Sequence, residues 1–293
     1  MFLEEWPLLL FTLLSQAAIG TFFLSTLFET LLPSNQEDKA TAFIKTGIPI
    51  VGPLMVAGLF LSFFHLGSPL SAVFASPNLS SWLVREILST SVFFALWVIC
   101  FVAAKKANLT PVLQWTTAIV GLFAVFCMAS AYTNSIRPAW AHLNTYFIFF
   151  AATFSLGLIG TTISVAGCNG KRVLSSEITT TLRKVVLSAV VVILVPLLYQ
   201  PFFLSSLSAG EPAALASANL YGKDYLLPMI LRWLLTLTGI AVLYYYVRSQ
   251  SQKFYAFSMK LVCTATCLIV AGELLGRCLF FVTAVSTQID VFH

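Results

Sequence analysis

With 293 residues, of which 59% are hydrophobic and only 9% charged, and a mean hydropathy of +0.92, this chain lies far from soluble domains, which carry about 25% charged residues. The net charge of +5 does not mark a nucleic-acid partner, because the basic residues sort by membrane side. The cysteines (Cys100, Cys127, Cys168, Cys263, Cys267 and Cys278) form no CxxC and sit almost entirely in apolar runs, so neither a disulfide framework nor a zinc site is supported.

A helix that crosses the hydrocarbon core needs about 20 mostly apolar residues. Eight stretches meet that requirement: 7–32, 42–64, 83–104, 111–133, 146–166, 182–207, 226–248 and 254–284. Backbone groups in lipid must pair internally, so runs of this length are helices. The first is not a cleavable signal peptide, since Glu4 and Glu5 replace the basic flank and the apolar run is too long. Pro49 and Pro53, in GIPIVGP, predict a second span that is kinked or starts late, and Pro196 predicts a bend in the sixth. The connection around 208–225 reads as a short surface helix, and residues 1–293 read as one domain without a repeat or long linker.

Lys and Arg are retained on the cytoplasmic side, which orients the bundle. With the N-terminus outside, the cytoplasmic connections and helix ends hold Lys39, Lys45, Lys105, Lys106, Lys171, Arg172, Arg183, Lys184, Arg248, Lys253 and Lys260. The other side keeps Arg85, Arg137, Lys223, Arg232 and Arg277, three of which (Arg85, Arg232, Arg277) fall inside spans. An even number of spans returns the C-terminus, with Asp290, to the outside. The expected fold is therefore an all-α integral membrane bundle of eight transmembrane helices, N-out and C-out.

Ionisable groups in a bilayer are costly unless paired or solvated, so they are functional candidates. Most of them fall at one level, towards the outer face. His65 ends the second span in FFHLGSP, and Arg85 and Glu86 open the third about one turn into its apolar run. Arg232 lies a turn or two into the seventh span. Glu273 and Arg277 lie in the outer half of the eighth, on one helix face at i,i+4 spacing. Ser15 and Gln16 lie in the outer half of the first. Each residue also has a plainer reading. Glu273 and Arg277 could simply pair with each other, Arg85 could extend to the headgroups, Arg232 could neutralise a carboxylate, and Glu29 could be merely interfacial. His65 and Glu86 flank one short connection, and an acceptor pair of that kind suits a ligand that sheds protons.

What is absent narrows the chemistry. The only histidines are His65, His142 and His293, too few for the four ligands of a dihaem cytochrome b. A single haem between His65 and His142 is disfavoured because His142 lies in the loop RPAWAHLN. There is no P-loop, HExxH or nucleophile elbow. Any metal centre in an electron-handling assembly would then belong to a partner.

The segments EWPLLLFTLLSQAAIG (5–20), FFHLGSPLSAVF (63–74), REILSTSVFFA (85–95) and AGELLGRCLFF (271–281) together resemble the membrane anchor subunit of anaerobic dimethyl sulfoxide reductase, the DmsC family. The resemblance implies an eight-helix anchor in a bacterial inner membrane, with no haem, iron–sulfur cluster or metal of its own. It also implies an iron–sulfur subunit and a molybdopterin catalytic subunit as partners. The anchor would bind menaquinol as substrate and pass its electrons to the iron–sulfur protein. The histidine and glutamate of the matching motifs, here His65 and Glu86, are implied in the quinol site. Arg232 and Arg277 fall at matching positions, and Gln16, Arg85 and Glu273 complete a supporting polar cluster. Two rival readings are a secondary transporter and a purely structural anchor. The transporter predicts polar groups near the midplane and an internal repeat, and the structural anchor leaves the His65/Glu86 pairing unexplained.

Overall fold

A computed structural model describes the backbone of residues 2–33, 37–65, 80–169, 175–249 and 255–287, with side chains for 6–33, 47–62, 80–167, 175–249 and 259–287. Among the described residues all regular structure is helical: α1 (Phe2–Leu31), α2 (Glu37–His65), α3 (Trp82–Lys105), α4 (Pro111–Thr133), α5 (Asn144–Asn169), α6 (Ser176–Ser208), α7 (Pro212–Asn219), α8 (Leu226–Ser249) and α9 (Tyr255–Val282). A π-turn, Leu220–Asp224, links α7 to α8. Seven of these helices are long and apolar enough to cross a bilayer, and the described apolar segment of α2 is Gly47–Ser62. The chain is thus a multi-pass membrane protein.

Local sequence sets several helix ends. Thr110 caps α4, its side chain accepting from Leu113 N, with Pro111 in the first turn, where a missing N–H costs nothing. Ser175 caps α6 in the same way through Ile178 N, which starts that helix ahead of the apolar run. Pro49 and Pro53 both lie inside α2. The helix begins at Glu37, so it does not start late. The 208–225 connection contains α7, a short surface helix that buries Ala213, Ala214, Ser217 and Ala218 on the bundle and leaves Pro212, Leu215 and Asn219 exposed.

The helices α1 and α5 are the most enclosed spans, and α5 touches α1, α2, α4, α6 and α9. Glycine lets α1 and α5 meet backbone to backbone. A Cβ on Gly20 would strike the Thr153 carbonyl, one on Gly157 would strike the Gly20 backbone, and one on Gly160 would strike Thr21. Small residues at close crossings of this kind are the usual basis of helix association in lipid, where no hydrophobic force separates protein from solvent. The same device joins α9 to α8: Gly272 and Gly276, four residues apart, abut Thr236 and Arg232. Between α2 and α3, Trp97 fills the space over Gly52, and its indole N–H donates to Ile48 O at 2.9 Å. That contact fixes the relative depth of the two helices.

Candidate functional site

Four of the residues singled out in the sequence converge in one buried centre. Gln16 on α1, Arg232 on α8, and Glu273 and Arg277 on α9 are all at most 9% exposed. Arg277 Nη2 donates to Gln16 Oε1 at 2.6 Å, and its guanidinium lies 4.1 Å from the Phe149 ring centroid. Ser155 on α5 donates to Glu273 Oε1 at 2.8 Å. Arg232 lies over the Trp233 ring at 4.5 Å. Glu273 and Arg277 therefore do not simply pair with each other. Among the described residues no ion pair joins them, although each stands within the other's electrostatic reach. Each takes a partner from another helix, so hydrogen bonds tie α9 to α1 and α5, while Arg232 of α8 packs against Gly276 of α9.

Ser155 and Gly276 are the members that the sequence did not single out. A serine inside an apolar helix carries no visible signal, since its role depends on α5 meeting α9. For Gly276 a signal was present in the glycine spacing of AGELLG, which is a small-xxx-small interface pattern.

Glu86 lies elsewhere, on α3, whose buried stripe runs Glu86, Ser89, Thr90, Phe93, Trp97, Cys100 and Ala104. This stripe faces α4 and α2, and Phe93 packs on Phe22 of α1, with ring centroids 6.0 Å apart. Glu86 is 4% exposed, and among the described residues no hydrogen bond reaches its carboxylate. Ser89 Oγ spans the turn beside it, donating to Arg85 O at 2.7 Å and to Glu86 O at 3.2 Å. Arg85 is half-buried, with its guanidinium over Trp82 at 4.2 Å. Trp82 in turn meets Phe126 edge-on, so Glu86 sits beside an aromatic wall.

The side chain of His65 lies outside the described residues, but its backbone is the last residue of α2. Depth follows from helix rise. Glu86 is 11 residues from Trp97 towards the start of α3, about 16 Å at ~1.5 Å per residue, and His65 is 13 residues from Gly52 towards the end of α2, about 20 Å. Since Trp97 and Gly52 touch, His65 at the end of α2 and Glu86 in the first turns of α3 lie at nearly the same depth.

Glu29, near the end of α1, is half-buried. Its carboxylate accepts from Gln114 Nε2 of α4 at 2.7 Å, next to a small cavity lined by Thr26, Ile48 and Gln114. His142, in the loop between α4 and α5, is half-buried. Its Nδ1 accepts the Asn144 N–H at 3.2 Å, and its ring meets Phe203 at 5.0 Å and Tyr199 at 5.9 Å. Burial lowers its pKa below the ordinary 6.5. The unfolded chain then binds the extra proton first, so stability is complete above 6.5 and falls as the pH drops through that value. The thermal midpoint in detergent should therefore fall between pH 7.5 and 5.5 more in the wild type than in His142→Gln. Equal falls would show that this histidine is not a source of the acid sensitivity.

A bundle of apolar helices with ionisable groups enclosed between them defines a polytopic membrane protein with an internal polar centre, and the composition and the packing both demand that class. Within it, the protein belongs to the DMSO reductase anchor subunit (DmsC) family, whose pattern it matches over residues 1–282. It is 30% identical over 288 residues to the C subunit of the anaerobic dimethyl sulfoxide reductase of Escherichia coli (strain K12), covering 95% of this sequence and 94% of that one. It is 31% identical over 170 residues to the corresponding C subunit of Haemophilus influenzae, covering 56% and 58% of the two sequences. The anaerobic dimethyl sulfoxide reductase subunit YnfH of Escherichia coli is 27% identical over 285 residues, covering 95% and 94%.

Proposed function

We propose that the chain is the membrane anchor of a molybdoenzyme reductase of the dimethyl sulfoxide reductase type. In this reading it crosses a bacterial inner membrane eight times, with both termini outside. It oxidises menaquinol near the extracytoplasmic face and passes the electrons to an iron–sulfur subunit, which a molybdopterin subunit completes. Family membership supports the anchor role. The sorting of Lys and Arg supports the orientation.

The observation that carries the quinol site is the buried Glu86 carboxylate, which shares its depth with the end of α2 at His65. Menaquinol has an apolar tail and a ring with two hydroxyl groups. A site at the outer end of α2 and α3 leaves the tail in lipid and brings the ring to polar groups. His65 hydrogen-bonds one ring oxygen, and Glu86 accepts a ring proton and relays it outward. Arg85, one residue from Glu86 on the aromatic wall, sets the local field. Oxidation releases two electrons and two protons. With the iron–sulfur partner on the same face, both leave on one side, and turnover moves no charge across the membrane.

The experiment is copurification of the tagged chain from anaerobically grown cells, followed by EPR of any iron–sulfur partner after addition of a reduced menaquinol analogue. The expected result is a copurifying iron–sulfur protein whose clusters are reduced by the quinol. Clusters that remain oxidised after quinol is added but are reduced by dithionite would make this a passive anchor. A chain that purifies alone and binds a small solute would favour the transporter.

A further inference from the structure

The centre between α5, α8 and α9 holds more hydrogen-bond donors than its side chains satisfy. Arg232 Nε and Arg277 Nη1 are buried and have no acceptor among the described residues, in residues 9% and 4% exposed. Together with Glu273, Gly276 and Phe280 they line a cavity of about 10 Å³. A space of this size corresponds to about one water-probe sphere, the least that holds a water molecule.

The wall also supplies an acceptor. Glu273 Oε1 takes the Ser155 hydroxyl, and a carboxylate has about four lone-pair sites, so acceptor capacity remains. Glu273 and Arg277 stand one turn apart on α9 without an ion pair, and the cavity lies between them. Two donors and one carboxylate around a single small space match the valence of water, which accepts two hydrogen bonds and donates two. Gly276 makes room for the arrangement, since a Cβ there would collide with Arg232 Nε.

We propose that this cavity is a permanent binding site for one water molecule, which accepts from Arg232 Nε and Arg277 Nη1 and donates to the Glu273 carboxylate. The water joins α8 to α9 in the bundle interior and turns two separated charges into a bridged pair. A monoatomic anion would satisfy the same donors. However, the Glu273 carboxylate in the wall repels an anion, and only water uses its free lone pairs.

Radiolytic hydroxyl labelling of the full-length protein in its complex, read by mass spectrometry, tests the site, because a bound water labels the side chains it touches. Phe280 and Phe93 are 3% and 0% exposed, and only Phe280 lines the cavity. The expected result is label on Phe280 at least fivefold above Phe93. After a brief mix with ¹⁸O-water that label should retain ¹⁶O, because an enclosed water exchanges slowly. In Gly276→Ala, where the new methyl pushes Arg232 into the space, Phe280 should fall to the Phe93 level. The wild-type comparison stands by itself if that variant fails to assemble. Equal labelling of Phe280 and Phe93 in the wild type overturns the proposal. So does a thermal midpoint that rises with chloride in the wild type and not in Arg277→Gln, which would place a small anion there instead.

Discussion

In the assembled complex, Glu86→Gln is expected to slow menaquinol oxidation by roughly 10²-fold, the lower end of the range for a positioned proton acceptor. Glutamine has nearly the same shape as glutamate and keeps one carbonyl acceptor. The buried stripe of α3 should therefore repack unchanged, and only the capacity to take a proton is lost. A fall in kcat with little change in KM would locate the defect in chemistry and not in binding. His65→Ala should behave differently. In the proposed site it would remove a hydrogen bond to the ring oxygen, so the expected effect is about tenfold on kcat/KM, carried mainly by KM, in line with ~1.4 kcal/mol for a factor of ten. Quinol-dependent reduction of the partner clusters and binding of a quinol-site inhibitor would measure both. If both variants assemble, bind the inhibitor normally and oxidise menaquinol at the wild-type rate, the site lies elsewhere. Arg85→Gln serves as a comparison. Its side chain packs over Trp82 at the rim, so it should alter the rate less than Glu86→Gln does.

Over their described residues, and short of one or two at an end, the eight apolar stretches fall on helices because two physical rules act without tertiary information: hydropathy selects the run, and an unpaired backbone in lipid forbids other conformations. The ends are less legible. The run that hydropathy starts at 182 begins at Ser176, where Ser175 caps a polar first turn that hydropathy does not register. The costly polar and ionisable residues were legible for the same reason as the spans, and Gln16, Arg232, Glu273 and Arg277 do meet. How they meet was not legible. Spacing alone pairs Glu273 with Arg277, yet Arg277 bonds Gln16, 261 positions away, and Glu273 bonds Ser155, 118 positions away. Such choices are set by which helices cross, and the helix crossings follow from glycines whose partners lie far off in sequence. The depth shared by His65 and Glu86 was implied by their short connection, and the Trp97–Gly52 contact supplies an independent register for it.

Gly157→Ala is expected to rank, with Gly20→Ala, among the most damaging single-methyl changes in the bundle. At this crossing the added Cβ would fall on the backbone of Gly20, and backbone atoms cannot move aside by changing rotamer. The helices must separate, and α1 and α5 are the two most enclosed spans, so the strain spreads through contacts with α2, α4, α6 and α9. Overpacking of a core by one or two carbons costs about 1–3 kcal/mol where side chains can yield. With backbone on both sides the upper end applies, and a midpoint drop of at least several degrees with reduced folded yield in detergent should follow. Gly222→Ala is the matched control, because a Cβ there meets nothing within 4 Å. If the two alanine variants melt together, glycine at the α1–α5 crossing is not what holds these helices in contact. If only Gly157→Ala fails, the cause is local to that crossing. Gln16 lies one turn before Gly20 on α1, so displacing the crossing should also pull Gln16 from Arg277 and carry the damage into the buried polar centre.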